Sequence, residues 1–180
     1  MITIVDYGMG NLRSVAKAFE RLGIAVCLTQ KSQDIAKAEK LVLPGVGAFG
    51  DAVRNLEALR LREPLLDFLK GDRPFLGICL GLQLLFAESE EDPAHRGFGV
   101  FPGCVRHFPE GALKIPHIGW NRVWRKGTKD CPLLEGIPDG SYFYFVHSYY
   151  VEASDASWVA SETEYGVSFV SMIWKKQVYA

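Results

Sequence analysis

Residues 74–86 read PFLGICLGLQLLF, a thiol set between two glycines in an apolar run. Gly77-Ile78-Cys79-Leu80-Gly81 is G-x-C-x-G, the thiol counterpart of the G-x-S-x-G nucleophile elbow. The run before Cys79 suits a buried strand, and the run after it suits a helix. The glycines permit the tight backbone approach that such a corner needs. At a helix N-terminus the thiol faces unpaired N–H groups and the positive end of the dipole. That setting is expected to lower its pKa and raise the thiolate fraction. The N–H of Leu80 can point at a developing oxyanion. The competing reading is a space-filling cysteine, since free cysteine is among the most buried residue types. Cys27, Cys104 and Cys131 lack the elbow setting and read as structural.

A second glycine-rich stretch, LVLPGVGAFGD at 41–51, satisfies G-x-G-x-x-G through Gly45, Gly47 and Gly50. In a dinucleotide site that fingerprint belongs to the first strand–helix unit, with an acid closing the second strand. Here it follows the third strand and no such acid is evident, so no nucleotide cofactor is expected. A glycine-rich loop at a strand end can instead present N–H groups to an anion. Beside Cys79 it would supply a second oxyanion donor. A cysteine nucleophile also needs a base. Among His95, His107, His117 and His147, the best bare candidate is His147 in YFYFVHSYY, where a hydrogen-bonded core histidine is the competing reading. Cys104 and His107 make a single C-x-x-H with no second half, whereas structural zinc takes four ligands. No metal is expected.

The elements that must position these groups follow from periodicity. MITIVD, IAVCLT, KLVL and FLGI read as short buried strands. From Asn11 the apolar residues Leu12, Val15, Ala16, Phe19 and Leu22 fall on one helical face, with Asn11 as N-cap and Gly23 just past the end. Further helices are expected near 33–38, from about Asp51, from near Pro64, and from Leu80 to about Glu88. Strand–helix alternation predicts an α/β fold with a parallel sheet covered on both faces. After about residue 95, FGVFPG, CVRHF, HIGWNRVW, SYFYFVHSYY, SWVAS and SFVSMIW read as strands and turns. His147 is expected to end a central strand. The absence of a visible linker predicts one domain with a β-rich second half.

Composition bounds the function. With 20 basic and 21 acidic residues in 180, the net charge of −1 gives no global pull toward nucleic acid or a membrane surface. No run of ~18 uninterrupted apolar residues is present, so no membrane span is expected. The N-terminus has no basic leader, and the four cysteines form no C-x-x-C pair. Reduced thiols and a cytoplasmic location are the expectation.

DYGMGN, LVLPGVGAFGD, PFLGICLGLQLLF, PHIGWN and YFVHSYY together resemble the class I (triad) glutamine amidotransferases. Within that family the chain is similar, from residue 1 to 180, to the glutaminase subunits of imidazole glycerol phosphate synthase in histidine biosynthesis. The resemblance implies a flavodoxin-like α/β/α domain that hydrolyses L-glutamine to glutamate and ammonia, without cofactor or metal. It implies a heterodimer with a (β/α)₈-barrel cyclase subunit that receives the ammonia. It assigns Cys79 as nucleophile, and Leu80 with the Val46–Gly47 peptide as oxyanion donors. Gln83, Ser148 and Tyr149 match positions that hold the glutamine α-amino and α-carboxyl groups. Asn11, Ser14, Trp120 and Tyr144 fall where the family meets its barrel partner. The family's catalytic histidine and glutamate lie in an F-H-P-E motif, and KKQVYA resembles the strand leading into it. The base is therefore expected beyond Ala180, in a C-terminal tail outside this sequence, and His147 is expected to be structural. Two alternatives remain: a non-catalytic docking module, and the glutaminase subunit of another synthase such as that for pyridoxal phosphate.

Overall fold

The computed structural model describes residues 1–111, 113–127 and 131–180. Four parallel strands form its first half: β1 (Ile2–Val5), β2 (Val26–Thr29), β3 (Leu41–Gly45) and β4 (Phe75–Cys79), in the order β2-β1-β3-β4. β1 and β3 are buried along their whole length, which is why ITIV and LVL carry no alternation. Helix α1 (Leu12–Arg21) covers one face, packing Leu12, Val15, Ala16 and Phe19 on Ile2, Ile4 and Val42. Helices α2 (Ser32–Lys37), α3 (Phe49–Ala58) and α4 (Arg62–Lys70) bring Ile35, Phe49, Leu56, Leu65 and Phe68 into the core on the other face. Each such side chain, fully withdrawn from water, contributes roughly 1.5–3 kcal/mol.

The expected caps of α1 form. The Asn11 side chain accepts from the Ser14 N–H at 3.3 Å, and Gly23 adopts φ 75° just past the last turn. Pro64 lies in the first turn of α4, where its missing N–H costs nothing.

The second half is β-rich, as its pattern predicts. It comprises β5 (Phe86–Ser89), β6 (Phe101–His107), β7 (His117–Arg125), β8 (Ser141–His147), β9 (Tyr149–Ala153), β10 (Val159–Tyr165), β11 (Val167–Lys175) and β12 (Val178–Tyr179). β12 joins the halves, running parallel to β4 and antiparallel to β11.

Two expectations fail. The helix after Cys79, α5 (Leu80–Gln83), is a single turn and does not reach Glu88. Phe86–Ser89 instead pairs in parallel with β6, which buries Phe86 completely, and this tertiary pairing overrides local helical propensity. YFYFVHSYY is not one central strand. It breaks at Ser148, and β8 lies at the sheet edge, paired with β7 alone among the described residues.

Candidate active site

Strand β4 ends at Cys79, and α5 begins at the next residue. Cys79 sits at φ 55°, ψ −109°, a conformation that L-residues rarely adopt. The flanking glycines make the corner possible. A Cβ on Gly81 would collide with the Leu43 carbonyl oxygen, and one on Gly77 would lie 2.8 Å from the Gly81 carbonyl oxygen. The strand–turn–helix context that the G-x-C-x-G spacing predicts is present.

The β3–β4 register pairs Gly45 with Cys79, so the PGVG loop leaves its strand directly beside the thiol. Val46 is exposed, and Gly47 adopts φ 97°. A Cβ on Gly47 would lie 2.7 Å from Met9 Cε. Glycines flank Val46, and the loop packs under the N-terminal turn at 6–11.

The thiol does not behave as its helix-start position suggests. Burial pushes the Cys79 pKa up, and the opposing hydrogen bond from the Leu80 N–H is the smaller effect. Desolvation outweighs the single backbone donor at the corner. The sulfur is nonetheless reachable by solvent. Such a thiol is protonated at neutral pH and requires a base.

Cys79 opens on a cleft of about 380 Å³ whose wall includes Gln83, His147, Tyr149, Phe169 and Ala180. Gln83 is buried and donates from Nε2 to the Tyr149 carbonyl at 3.2 Å, so these two expected binding residues meet. Ser148 lies between His147 and Tyr149, where its carbonyl accepts from the Phe108 N–H at 3.1 Å. Its side chain is not part of that wall.

His147 borders the cleft, but both ring nitrogens are engaged. Nδ1 donates to the Tyr149 carbonyl at 2.8 Å, which leaves Nε2 to accept from His117 Nδ1–H at 2.9 Å. Burial lowers the pKa of His147. Burial and then the neighbouring His147 lower that of His117 to about 4. His95 is tied to Asp92 at 2.9 Å. His107 packs edge-on against Tyr149 and lies outside the cleft wall.

Asn11 and Ser14 are exposed at the start of α1. Trp120 and Tyr144 face each other across β7 and β8 as a T-shaped pair with centroids 5.7 Å apart. They share one face with Ile118, Val146 and Tyr142, all more than half exposed. This apolar face lies at the sheet edge and is open to solvent.

Three residues near the site take places that their type and spacing do not signal. Glu91 accepts from the Phe49 N–H at 2.9 Å and holds the end of the loop at the start of α3. His117 completes the histidine pair. Tyr7, in the turn after β1, is buried with its hydroxyl close to Gly45. Neither a charge run such as ESEED nor a tyrosine next to a glycine marks a site by type or spacing.

Comparison with known proteins agrees with this architecture. Residues 3–180 match the family described as glutamine amidotransferase class-I. The imidazole glycerol phosphate synthase subunit HisH of Syntrophotalea carbinolica is 49% identical over 186 residues, covering 100% of this chain and 89% of that protein. The subunit of the same name from Aquifex aeolicus is 51% identical over 178 residues, covering 98% and 84%. The one from Geobacter sulfurreducens is 47% identical, covering 99% and 88%. A crystal structure of a glutamine amidotransferase superposes with a TM-score of 0.77 at 17% identity, covering 100% of this chain and 88% of that one. The crystal structure of a putative GMP synthase protein from Thermoplasma acidophilum gives 0.68 at 16%, covering 99% and 80%. At such low identity these two likenesses speak to the fold.

Proposed function

The chain belongs to the class-I glutamine amidotransferase family, and on that footing we propose how it works: it is the glutaminase subunit of an imidazole glycerol phosphate synthase, with Cys79 as nucleophile. The observation that carries the reading is Cys79 itself, held at φ 55° on a strand–helix corner in the cleft that also contains Gln83 and Tyr149. A cleft of about 380 Å³ has room for a free amino acid.

The Cys79 sulfur attacks the side-chain amide carbon of glutamine as a base takes the thiol proton. Negative charge develops on the amide oxygen, where the Leu80 N–H and the Gly47 N–H of the Val46–Gly47 peptide are the donors. Collapse expels ammonia, which leaves with the proton returned by the base, and forms a glutamyl thioester. Water then adds to the thioester carbonyl. Its breakdown releases glutamate and restores the thiol. Gln83, Ser148 and Tyr149 hold the glutamine α-amino and α-carboxyl groups, Gln83 and Tyr149 from the cleft wall.

The raised pKa of Cys79 makes the base indispensable. The bonding of His147 and His117 argues against either as that base. The histidine and glutamate that the family resemblance puts after Ala180 suit the role. Ala180 borders the same cleft, and a Cβ on Gly77 would lie 3.0 Å from the Ala180 Cβ, so a chain continuing from it would emerge beside the nucleophile.

Ammonia then passes to a (β/α)₈-barrel cyclase subunit, docked on Asn11, Ser14, Trp120 and Tyr144. The complete synthase acts as a carbon–nitrogen lyase that makes imidazole glycerol phosphate and an aminoimidazole carboxamide ribotide. The experiment supplies amide-¹⁵N glutamine to this protein mixed with the cyclase subunit and its nucleotide substrate. Label in the imidazole product, undiminished by unlabelled ammonium in solution, is expected. A complex that forms product only from added ammonium would overturn the reading.

A further inference from the structure

At Ser148 the chain changes strand partners: β8 before it pairs with β7, and β9 after it pairs with β6 and β11. No single ladder holds residues 147–149 as a unit, although Ser148 and Tyr149 are the residues expected to hold substrate. Side chains close that gap. The Tyr149 carbonyl accepts twice, from His147 Nδ1–H at 2.8 Å and from Gln83 Nε2–H at 3.2 Å. The second bond uses the donor end of the Gln83 amide and leaves its acceptor end, Oε1, for a substrate N–H.

The direction of these bonds is set further away, on β7. The Arg122 N–H donates to Asn121 Oδ1 at 2.8 Å, which settles how the Asn121 amide is turned. Asn121 Nδ2 then donates to the Glu164 carbonyl at 2.8 Å and to His117 Nε2 at 3.3 Å. Burial keeps both histidines neutral at pH 7, so each ring carries one N–H. The bond made by one ring nitrogen decides whether the other holds the proton. With Nε2 of His117 accepting, its proton is on Nδ1 and goes to His147 Nε2 across 2.9 Å. With that nitrogen accepting in turn, the His147 proton is on Nδ1 and points at the Tyr149 carbonyl. Without the donor from His117, His147 is free to carry its proton on Nε2, and the Tyr149 carbonyl would then face a lone pair. His117 is 3% exposed and stacks on Tyr165 and Phe145, with centroids 3.9 and 5.1 Å away. A phenylalanine would serve that stacking; only the N–H serves the relay.

We propose that His117 is a positioning residue for glutamine: acting through His147, its Nδ1–H keeps the Tyr149 carbonyl and the Gln83 amide in the orientation that receives the substrate's α-amino and α-carboxyl groups. The inference rests on the glutaminase reading above. Those groups lie at the far end of glutamine from the amide carbon that Cys79 attacks. Orientation lost there weakens binding of substrate and transition state alike. Such a loss raises KM and leaves kcat unchanged. The relay thus differs from a base, whose removal lowers kcat, and from a packing contact, whose removal lowers stability alone.

The test compares the unaltered protein with His117→Phe and His117→Asn. Phenylalanine keeps the stacked ring and removes the N–H. Asparagine gives up the ring, but its side-chain amide nitrogen can take the place of Nδ1. Glutamate release in complex with the cyclase subunit is resolved into kcat and KM. In His117→Phe, KM should rise about three- to tenfold, the scale of one net hydrogen bond, at unchanged kcat. In His117→Asn, KM should return toward the unaltered value. Nitrogen NMR of the isolated protein labelled at histidine gives a second reading that needs no turnover. His147 should carry its proton on Nδ1 in the unaltered protein and on Nε2 in His117→Phe. Unchanged KM in folded His117→Phe overturns the proposal. So does an equal rise of KM in both variants, which marks the packing of the ring. So does a proton on Nε2 of His147 in the unaltered protein, a result that stands even where neither variant folds. An unaltered protein that releases no glutamate in the complex, with His147 protonated on Nδ1, overturns the glutaminase reading itself, and the proposal falls with it.

Discussion

His117 donates from Nδ1 to Nε2 of His147 across 2.9 Å, and the two rings form a neutral relay buried under Phe108, Phe145 and Phe169. The relay ends at the Tyr149 carbonyl on one side and reaches Asn121 Nδ2, 3.3 Å from His117 Nε2, on the other. Each ring uses one N–H as a donor and one lone pair as an acceptor, so protonating either breaks a bond. The sign of the pH effect follows. The folded pKa of His117 is held at about 4, below the unfolded value of ~6.5, so the unfolded chain binds more protons in between. Stability is full above ~pH 6.5 and declines as pH falls toward about 4, by roughly 2–3 kcal/mol. Urea midpoints across that range should show the decline, and His117→Gln should flatten it.

The same geometry, with both ring nitrogens engaged, argues against His147 as the base. His147→Asn should lower stability by ~1–3 kcal/mol, the scale of a buried polar group left unpaired. Glutamate release by the folded variant, with the cyclase subunit present, should stay within about tenfold of the unaltered protein. A base would cost ~10⁴. A loss of that size in a variant with a native unfolding transition would make His147 the base and refute the relay.

Cys79 should be the one cysteine that turnover needs. Cys79→Ala should abolish glutamate release, by ~10⁴-fold or more. A variant carrying Cys27→Ala, Cys104→Ala and Cys131→Ala should keep it, with some loss of stability from the buried Cys131. Burial raises the Cys79 pKa, so its thiolate fraction grows only above the usual thiol range. A simple alkylating reagent, followed by peptide mass spectrometry in the isolated protein, should therefore label Cys79 slowly at neutral pH and faster as pH rises. Fast labelling at neutral pH would mean that something lowers the thiol's pKa after all.

How far the sequence reads ahead depends on the range of the forces involved. The elbow is local: Gly77, Cys79 and Gly81 sit within five residues, and their spacing alone predicts the corner that forms. The first four strands and their helices are equally local, because apolar periodicity and caps such as Asn11 and Gly23 act within a turn or two. The Cys79 pKa is not legible in the same way, because the shift depends on how much protein surrounds the sulfur, and neither is the truncation of α5 to one turn. That truncation comes from β5 pairing with β6, whose register links Phe86 to Phe101. The edge position of β8 and the His117–His147 contact likewise depend on which distant strands pair. Nothing in YFYFVHSYY by itself distinguishes an edge from a centre.

Trp120 and Tyr144 provide a test of the proposed docking face. Both are more than half exposed, so truncating either should leave the isolated protein's stability within ~0.5 kcal/mol of the original. Paired aromatic side chains at the centre of an interface commonly carry ~2 kcal/mol or more each. Trp120→Ala and Tyr144→Ala should each weaken binding of the cyclase subunit by roughly thirtyfold in a titration. Arg122, stacked 5.2 Å over Tyr142 further along the same face, should matter less if it lies at the rim. Unchanged affinity in both aromatic variants would assign this face some other purpose.

Gly81 offers the sharpest test of the elbow, because the obstacle it avoids is backbone. A Cβ there would strike the Leu43 carbonyl oxygen, which belongs to the neighbouring strand β3 and cannot rotate away as a side chain would. Gly81→Ala must therefore push α5 off β3 or open the β3–β4 pair at the point where Gly45 meets Cys79. Either shift moves the thiol relative to the PGVG loop. The expected cost is ~3 kcal/mol or more of stability, at the upper end of overpacking, together with loss of glutamate release in any fraction that stays folded. Gly111→Ala is the matched control. Nothing lies within 4 Å of a Cβ there, and no left-handed φ is required. That change should be neutral or slightly stabilising, because alanine narrows the unfolded ensemble. Urea midpoints of the two variants, measured side by side, should differ by the full cost of the clash. If Gly81→Ala unfolds at the same midpoint as Gly111→Ala and still turns over glutamine, the close approach of α5 to β3 is not what shapes the nucleophile's corner.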